Sequence, residues 1–145
     1  MAPPQTKTLT VPSKLADVAG VQKAILDDVL ACGHSQDTRF AVRLALDEAL
    51  ANAIHHGNQD DPARRVTVTY GVSSQRVQIS VCDEGGGFDP SGVPDPRLPE
   101  NLVKPNGRGI MLMRAYMTDV TFNTDGNCVT LLMRPRRTGQ GGSKA

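Results

Sequence analysis

The spacing of hydrophobic positions along this chain changes several times, and each change marks an element. Leu15, Val18, Val21, Ile25 and Val29 recur at helical spacing, with Ser13 as the expected N-cap and Gly33 as the stop. A second helix is predicted from about Ser35 to His56, with Gly57 as its C-terminal signal. Val66, Val68, Tyr70 and Val72 then alternate with Thr67, Thr69 and Gly71, and Val77, Ile79 and Val81 alternate with Gln78, Ser80 and Cys82. A period of two reads as strands with one buried face, and Ser73–Gln75 closes the two into a hairpin. Lys7–Val11 alternates more weakly and reads as a first strand stopped by Pro12. Gly109 to Met117 reads as a short helix with Ile110, Met113 and Met117 on one side, and Val120–Thr124 and Cys128–Arg134 as a last hairpin around Asp125-Gly126.

The resulting order is strand, helix, helix, strand, strand, loop, helix, strand, strand. Hairpin-linked strands with helices on one face predict an α+β fold, a two-layer α/β sandwich with a mixed, mostly antiparallel sheet. Residues 1–134 are expected to form a single domain and residues 135–145 a disordered tail. The loop Pro90–Asn106 holds Pro90, Pro94, Pro96, Pro99 and Pro105. A loop of that length inside a compact domain points to function, and it is expected to be mobile without ligand.

Composition narrows the function classes. The chain has 145 residues, enough for one domain with a sizeable core. Sixteen basic and fifteen acidic residues leave a net charge of +1, which makes no electrostatic case for direct nucleic-acid or membrane-surface binding. Aromatic residues make up 3% and Trp is absent, so base stacking is poorly supplied. Cys32, Cys82 and Cys128 are far apart and form no CxxC pair. Neither a disulfide nor a zinc site is expected, and each cysteine reads as a small buried apolar residue in a reducing compartment. The N-terminus lacks the apolar core of a signal peptide and no apolar run is long enough to span a bilayer, so the cytoplasm is the expected location.

Three segments carry candidate chemistry. In Leu44–Asn58 (LALDEALANAIHHGN), Glu48, Asn52 and His56 are each one helical turn apart among residues made for burial. A carboxylate and an amide on such a helix face solvent or a cleft. Arg43 and Asp47 already read as a solvent-facing pair. Facing a cleft, the oxygen of Asn52 suits magnesium, which takes oxygen ligands and leaves the rest to waters and phosphates. Glu48 is then placed to accept a proton from an attacking hydroxyl. His56 is equally suited to end the helix. Asp83–Phe88 (DEGGGF) follows a strand directly. Asp83 can accept from an exocyclic amine such as that of adenine, Gly85 and Gly87 let backbone approach a flat ring, and Phe88 reads as core. Gly107-Arg108-Gly109 opens a helix, where free N–H groups favour an anion; Arg108 either reaches a phosphate or sits on the surface. No GxxxxGK[ST] and no GxGxxG after the first strand is present.

Taken in order, Glu48…Asn52…His56, Asp83-x-Gly85-x-Gly87-Phe88 and Gly107-x-Gly109 resemble the N, G1 and G2 boxes of the GHKL (Bergerat-fold, histidine-kinase-like) ATPases. Each box alone is weak, and the three in order over about residues 6–134 are specific. Within that superfamily EALANAIHHGN, DEGGGFDP and GRGIMLM followed by TDV look like the anti-sigma-factor serine/threonine protein kinases. The resemblance implies ATP and Mg2+ as cofactors, Glu48 as the catalytic carboxylate, Asn52 as the magnesium ligand and Asp83 as the reader of adenine. It implies that Gly85, Gly87, Gly107 and Gly109 shape the nucleotide loops and that Pro90–Asn106 is the ATP lid, with Arg97, Lys104 and Arg108 as candidates for phosphate contact. Asn127 stands where a Thr often helps bind adenine through water, and its amide can donate and accept in that place. The partners implied are a sigma factor and an anti-anti-sigma protein of STAS type, with a homodimer as the assembly. Beside the kinase stand two other readings: a non-catalytic ATP-binding module that grips a partner, and an ATPase piece of a phosphorelay. The second lacks a helical hairpin bearing a phospho-accepting His.

Overall fold

A computed structural model describes residues 6–85, 105–123 and 126–135. The strands are β1 (Thr6–Pro12), β2 (Arg65–Val72), β3 (Val77–Cys82), β4 (Asp119–Phe122) and β5 (Cys128–Met133), and the helices are α1 (Leu15–Ala31), α2 (Gln36–Ala51) and α3 (Pro105–Tyr116). The five strands form one sheet in the order β1-β2-β3-β5-β4. All four pairings are antiparallel, so among the described residues the sheet is wholly antiparallel where a mixed one was expected.

The alternation in the sequence becomes the two faces of this sheet. Val66, Val68, Tyr70, Val77, Ile79, Val81, Val129 and Leu131 are buried beneath the helices, against Val21, Ile25, Val29, Val42, Leu46 and Met113. Burying side chains of this size stabilises by roughly 1.5–3 kcal/mol each. On the open face hydroxyls pair across strands, Thr8 with Thr69 at 3.1 Å and Ser80 with Thr130 at 2.8 Å. The three helices lie on one face of the sheet with α2 packed against both α1 and α3, and the T-shaped contact of Phe40 with Tyr116, centroids 6.3 Å apart, ties α3 to α2.

Local signals account for most boundaries. Ser35 caps α2 by accepting from the Thr38 N–H at 3.0 Å, and Gly33 ends α1 at φ 91°. Ser13 does not cap α1. Lys14 holds that position without a side-chain bond, while the Ser13 hydroxyl donates to the Arg64 carbonyl at 2.7 Å. α3 begins at Pro105 rather than Gly109, because Pro suits a first helical turn. Gly107 and Gly109 therefore lie inside the helix and do not precede it.

The cysteine expectation fails for two of the three. β3 and β5 set Cys82 directly opposite Cys128, and a disulfide joins them. The next pair toward the loops is bonded by its backbone, Asp83 N–H to the Asn127 carbonyl at 2.9 Å. The cysteines therefore occupy a non-hydrogen-bonded pair, where facing side chains come closest. Register creates this proximity, and spacing along the chain does not encode it. Cys32 stays free, its thiol 3.6 Å from the Val72 carbonyl. Among the described residues no helix is long and apolar enough to cross a membrane.

Candidate functional site

The second helix ends unusually. α2 stops at Ala51 and the chain continues through a π-turn, Asn52–Gly57. Asn58 N–H donates to the Ala53 carbonyl at 2.8 Å, five residues back. Such wide turns are often found at functional sites. Glu48 and Asn52 keep their one-turn spacing, both half-buried, and among the described residues neither side chain makes a hydrogen bond. An acid and an amide left uncommitted together on a packed helix are what a ligand site needs. His56 falls off that row because the turn widens beneath it, and its side chain is exposed. His55 is the histidine with a role in the local structure, its Nδ1 lying 2.5 Å from Asp60 Oδ1.

The neighbouring acid is accounted for separately. Asp47 pairs with Arg43 at 3.9 Å, as expected, and also accepts from the Gln22 side-chain amide. Burial raises its pKa above the ordinary aspartate value and Arg43 opposes the shift. Asp47 thus links α2 to α1 and is spent structurally, whereas Glu48 is not.

Asp83 and Asn127 lie side by side at the ends of β3 and β5, joined by the backbone bond already described. Asp83 Oδ1 accepts from the Gly85 N–H at 2.8 Å. Burial raises the Asp83 pKa, while the Gly85 N–H and the charge of Arg64 pull it back. The Asn127 side-chain oxygen accepts from Asn123 Nδ2 at 2.7 Å. An acceptor and an amide from adjacent strand ends can together face the polar edge of a flat heterocycle.

The two halves of the site meet at Gly57. A Cβ at Gly57 would overlap the Asp83 carboxylate, and a Cβ at Gly85 would overlap the Gly57 carbonyl. Within the protein, the close approach that Gly85 allows is to the end of the π-turn. Asn58 is fully buried beside this contact, and its side-chain oxygen accepts from the Glu84 N–H at 2.8 Å. Beyond it, Gln59 and Asp60 both adopt positive φ, 53° and 59°. Non-glycine residues hold that conformation at a cost, offset by the Asp60 N–H bond to the Ile54 carbonyl at 2.8 Å and by the His55 contact.

The sequence marks Gly57 as a helix stop and gives Asn58 no role. Neither has a periodicity signal. The clue available was a Gly and an Asn closing the helical segment Leu44–Asn58, which carries Glu48 and Asn52. Of the remaining expected site residues, Gly107 and Gly109 lie in the first turns of α3, which packs on α2. Gly87, Arg97, Lys104 and the Arg108 side chain lie outside the described residues, as do Phe88 and the lid up to residue 104. A shallow hollow of about 150 Å3 lined by Thr6, Thr69, Gly71, Arg76 and Gln78 is on the open face of the sheet, away from all of these. It is smaller than the few hundred Å3 of a typical ligand pocket. Among the described residues no group of three or more His, Cys, Asp or Glu side chains could hold a metal ion. A metal here would depend on donors such as Asn52 and on the ligand itself.

Residues 11–133 match the family described as histidine kinase-like ATPase domain. The serine-protein kinase RsbW of Oceanobacillus iheyensis is 25% identical over 133 residues, covering 87% of this chain and 84% of that protein. The serine-protein kinase RsbW of Bacillus licheniformis is 33% identical over 108 residues, 70% of this chain and 66% of that protein. Among solved structures, that of the RsbU and RsbW domains of a Mycobacterium tuberculosis protein superposes with a TM-score of 0.61 at 17% identity. The match covers 94% of this chain and 35% of that one, and it speaks for the fold.

Proposed function

The chain belongs to the histidine kinase-like ATPase family, and on that premise we propose that it is an ATP-dependent protein serine/threonine kinase acting as an anti-sigma factor. It binds a sigma factor and phosphorylates an anti-anti-sigma protein of STAS type, in the cytoplasm, as a homodimer. The observation that carries this reading is the meeting of two half-sites at Gly57. One offers the uncommitted Glu48 and Asn52, the other the Asp83–Asn127 pair. The RsbW serine-protein kinases among the relatives support the kinase reading.

In this reading Asp83 accepts from the adenine amine and Asn127 completes the base edge. Asn52 fits magnesium by donor chemistry, an amide oxygen with no partner among the described residues on an ion that favours oxygen. Bound there, magnesium would neutralise phosphate charge. Glu48, one turn away, accepts the proton of the partner's serine hydroxyl as that oxygen attacks the γ-phosphorus in line and the bond to the β-phosphate oxygen breaks. Gly107, in the first turn of α3, offers its backbone N–H to the phosphates, while Gly109 lies further in, where the N–H is taken by the helix.

The test is capture of partners from a lysate with and without ATP, followed by incubation of the identified partner with γ-labelled ATP. Label on a partner serine supports the kinase. Nucleotide-dependent binding that never leads to label supports a non-catalytic module and overturns the kinase assignment.

A further inference from the structure

Asn58 makes more hydrogen bonds than its place just after a helix end would require. Its side-chain nitrogen donates to Ser13 Oγ at 2.7 Å and to the Arg65 carbonyl at 3.0 Å, and its side-chain oxygen accepts from the Glu84 N–H at 2.8 Å. Its backbone N–H and carbonyl are bonded to Ala53 and Asp61. At 0% exposure every strong donor and acceptor it carries is thus used. Three separate segments converge on this one amide: the corner between β1 and α1, the start of β2, and the loop after β3. The last of these is the segment that carries Asp83.

Among the described residues the Asp83 loop has few other restraints, one being the Asp83 N–H bond to the Asn127 carbonyl at 2.9 Å. Glu84 is tied at both ends, its N–H to Asn58 and its carboxylate to the Arg65 N–H at 2.6 Å. Gly85 is held by Asp83 itself and by its approach to Gly57. Asn58 directly follows the π-turn, and the π-turn begins at Asn52. A single buried side chain therefore joins the base-reading loop to the helix end that presents Glu48 and Asn52, beside the Gly57–Gly85 approach and the Asp83–Asn127 backbone bond.

We propose that Asn58 is a positioning residue for base recognition: by holding the Glu84 amide it sets where the Asp83 carboxylate points, and so sets the preference for adenine over guanine. This rests on the ATP reading of the site. The acceptor of Asn58 performs the task, and its two donor bonds anchor it. The three bonds can be separated by substitution. Asn58→Ala removes all of them. Ser13→Ala removes one anchoring bond and leaves the Glu84 bond intact. Asn58→Asp retains an acceptor for Glu84 and loses the donors.

The experiment is calorimetric titration of ATP and GTP into the wild type and the three variants, with urea unfolding of each. Wild type should prefer ATP. Asn58→Ala should lower ATP affinity by roughly three- to tenfold, the scale of one hydrogen bond, with GTP affinity nearly unchanged, so that the ATP:GTP ratio falls. Ser13→Ala should lose stability with the ratio unaltered, and Asn58→Asp should retain most of the preference. If Asn58→Ala does not fold, Asn58→Ser replaces it, being too short to reach Glu84. A wild type with no ATP affinity overturns the function reading. A wild type that prefers ATP, with Asn58 and Ser13 variants that change the ratio alike or not at all, overturns the positioning role alone.

Discussion

Reduction of Cys82–Cys128 should lower stability without changing the fold. The half-cystines are 46 residues apart, and the closed loop contains the Asp83 segment, α3 and β4. Cross-linking a loop of that length removes denatured-state entropy worth about 4 kcal/mol in the chain-entropy model. Residual structure in the unfolded chain reduces this, so about 2–4 kcal/mol is expected, a large share of the roughly 5–15 kcal/mol of a typical domain. The assay is urea unfolding followed by circular dichroism, comparing oxidised protein, protein in a strong phosphine reductant and Cys82→Ser/Cys128→Ser. The reduced and doubly substituted forms should unfold at lower urea and with a steeper dependence, because the freed chain exposes more surface. Their native spectra should match that of the oxidised form, since β3 and β5 remain paired by their ladder. Cys32→Ser should leave the midpoint nearly unchanged, its thiol making one weak contact. Coincident curves for all forms would mean that the two sulfurs are not joined and would refute the argument from register.

Three further outcomes follow from the site. Asn52→Ala should weaken ATP–magnesium binding strongly while leaving the unfolding midpoint in place, because the side chain has no partner among the described residues; calorimetry with unchanged affinity would remove the metal role. Asp83→Asn should weaken ATP binding yet be neutral or stabilising at pH 7. Its pKa is raised on folding, chiefly by burial, so the native state binds the proton more tightly and stability falls as pH rises from the ordinary aspartate range through the raised value. A variant less stable than wild type at neutral pH, by urea unfolding, would contradict this. Gly57→Ala should cost nucleotide affinity, since its Cβ would displace the Asp83 carboxylate; wild-type affinity in that variant would show that the two half-sites do not depend on their close approach.

Much of the architecture was legible because local signals and tertiary demands agree. Period-two runs at Val66–Val72 and Val77–Val81 became β2 and β3, Gly33 is the stop expected of it, and the second helix starts at Ser35 as expected, where the structure adds a side-chain cap. Ser13 shows the opposite case. A good capping residue was taken by a longer-range demand, the Arg64 carbonyl and Asn58. Of the candidate site residues, Glu48 and Asn52 could be named because polar groups stood out in an apolar helix, and Asp83 because it directly follows a regular strand, whereas Asn127, in a turn, was named only by the family resemblance. What holds them in place could not be seen in advance. The π-turn depends on how a helix end is packed, the Gly57–Gly85 approach on two segments distant in sequence, and the cystine on a register between β3 and β5. None of these leaves a periodic trace.

The central claim is transfer of the γ-phosphoryl group to a partner serine with Glu48 as base. Single-turnover transfer from labelled ATP to the partner captured in an ATP-dependent way, measured for wild type and Glu48→Gln, tests it most directly. The account predicts phosphoserine on the partner with wild type and a rate lower by roughly 10²–10⁴-fold in the variant, the usual scale of general-base catalysis, with ATP affinity little changed. Transfer at the wild-type rate by Glu48→Gln, or an ATP-bound complex in which no partner serine gains phosphate, would contradict it.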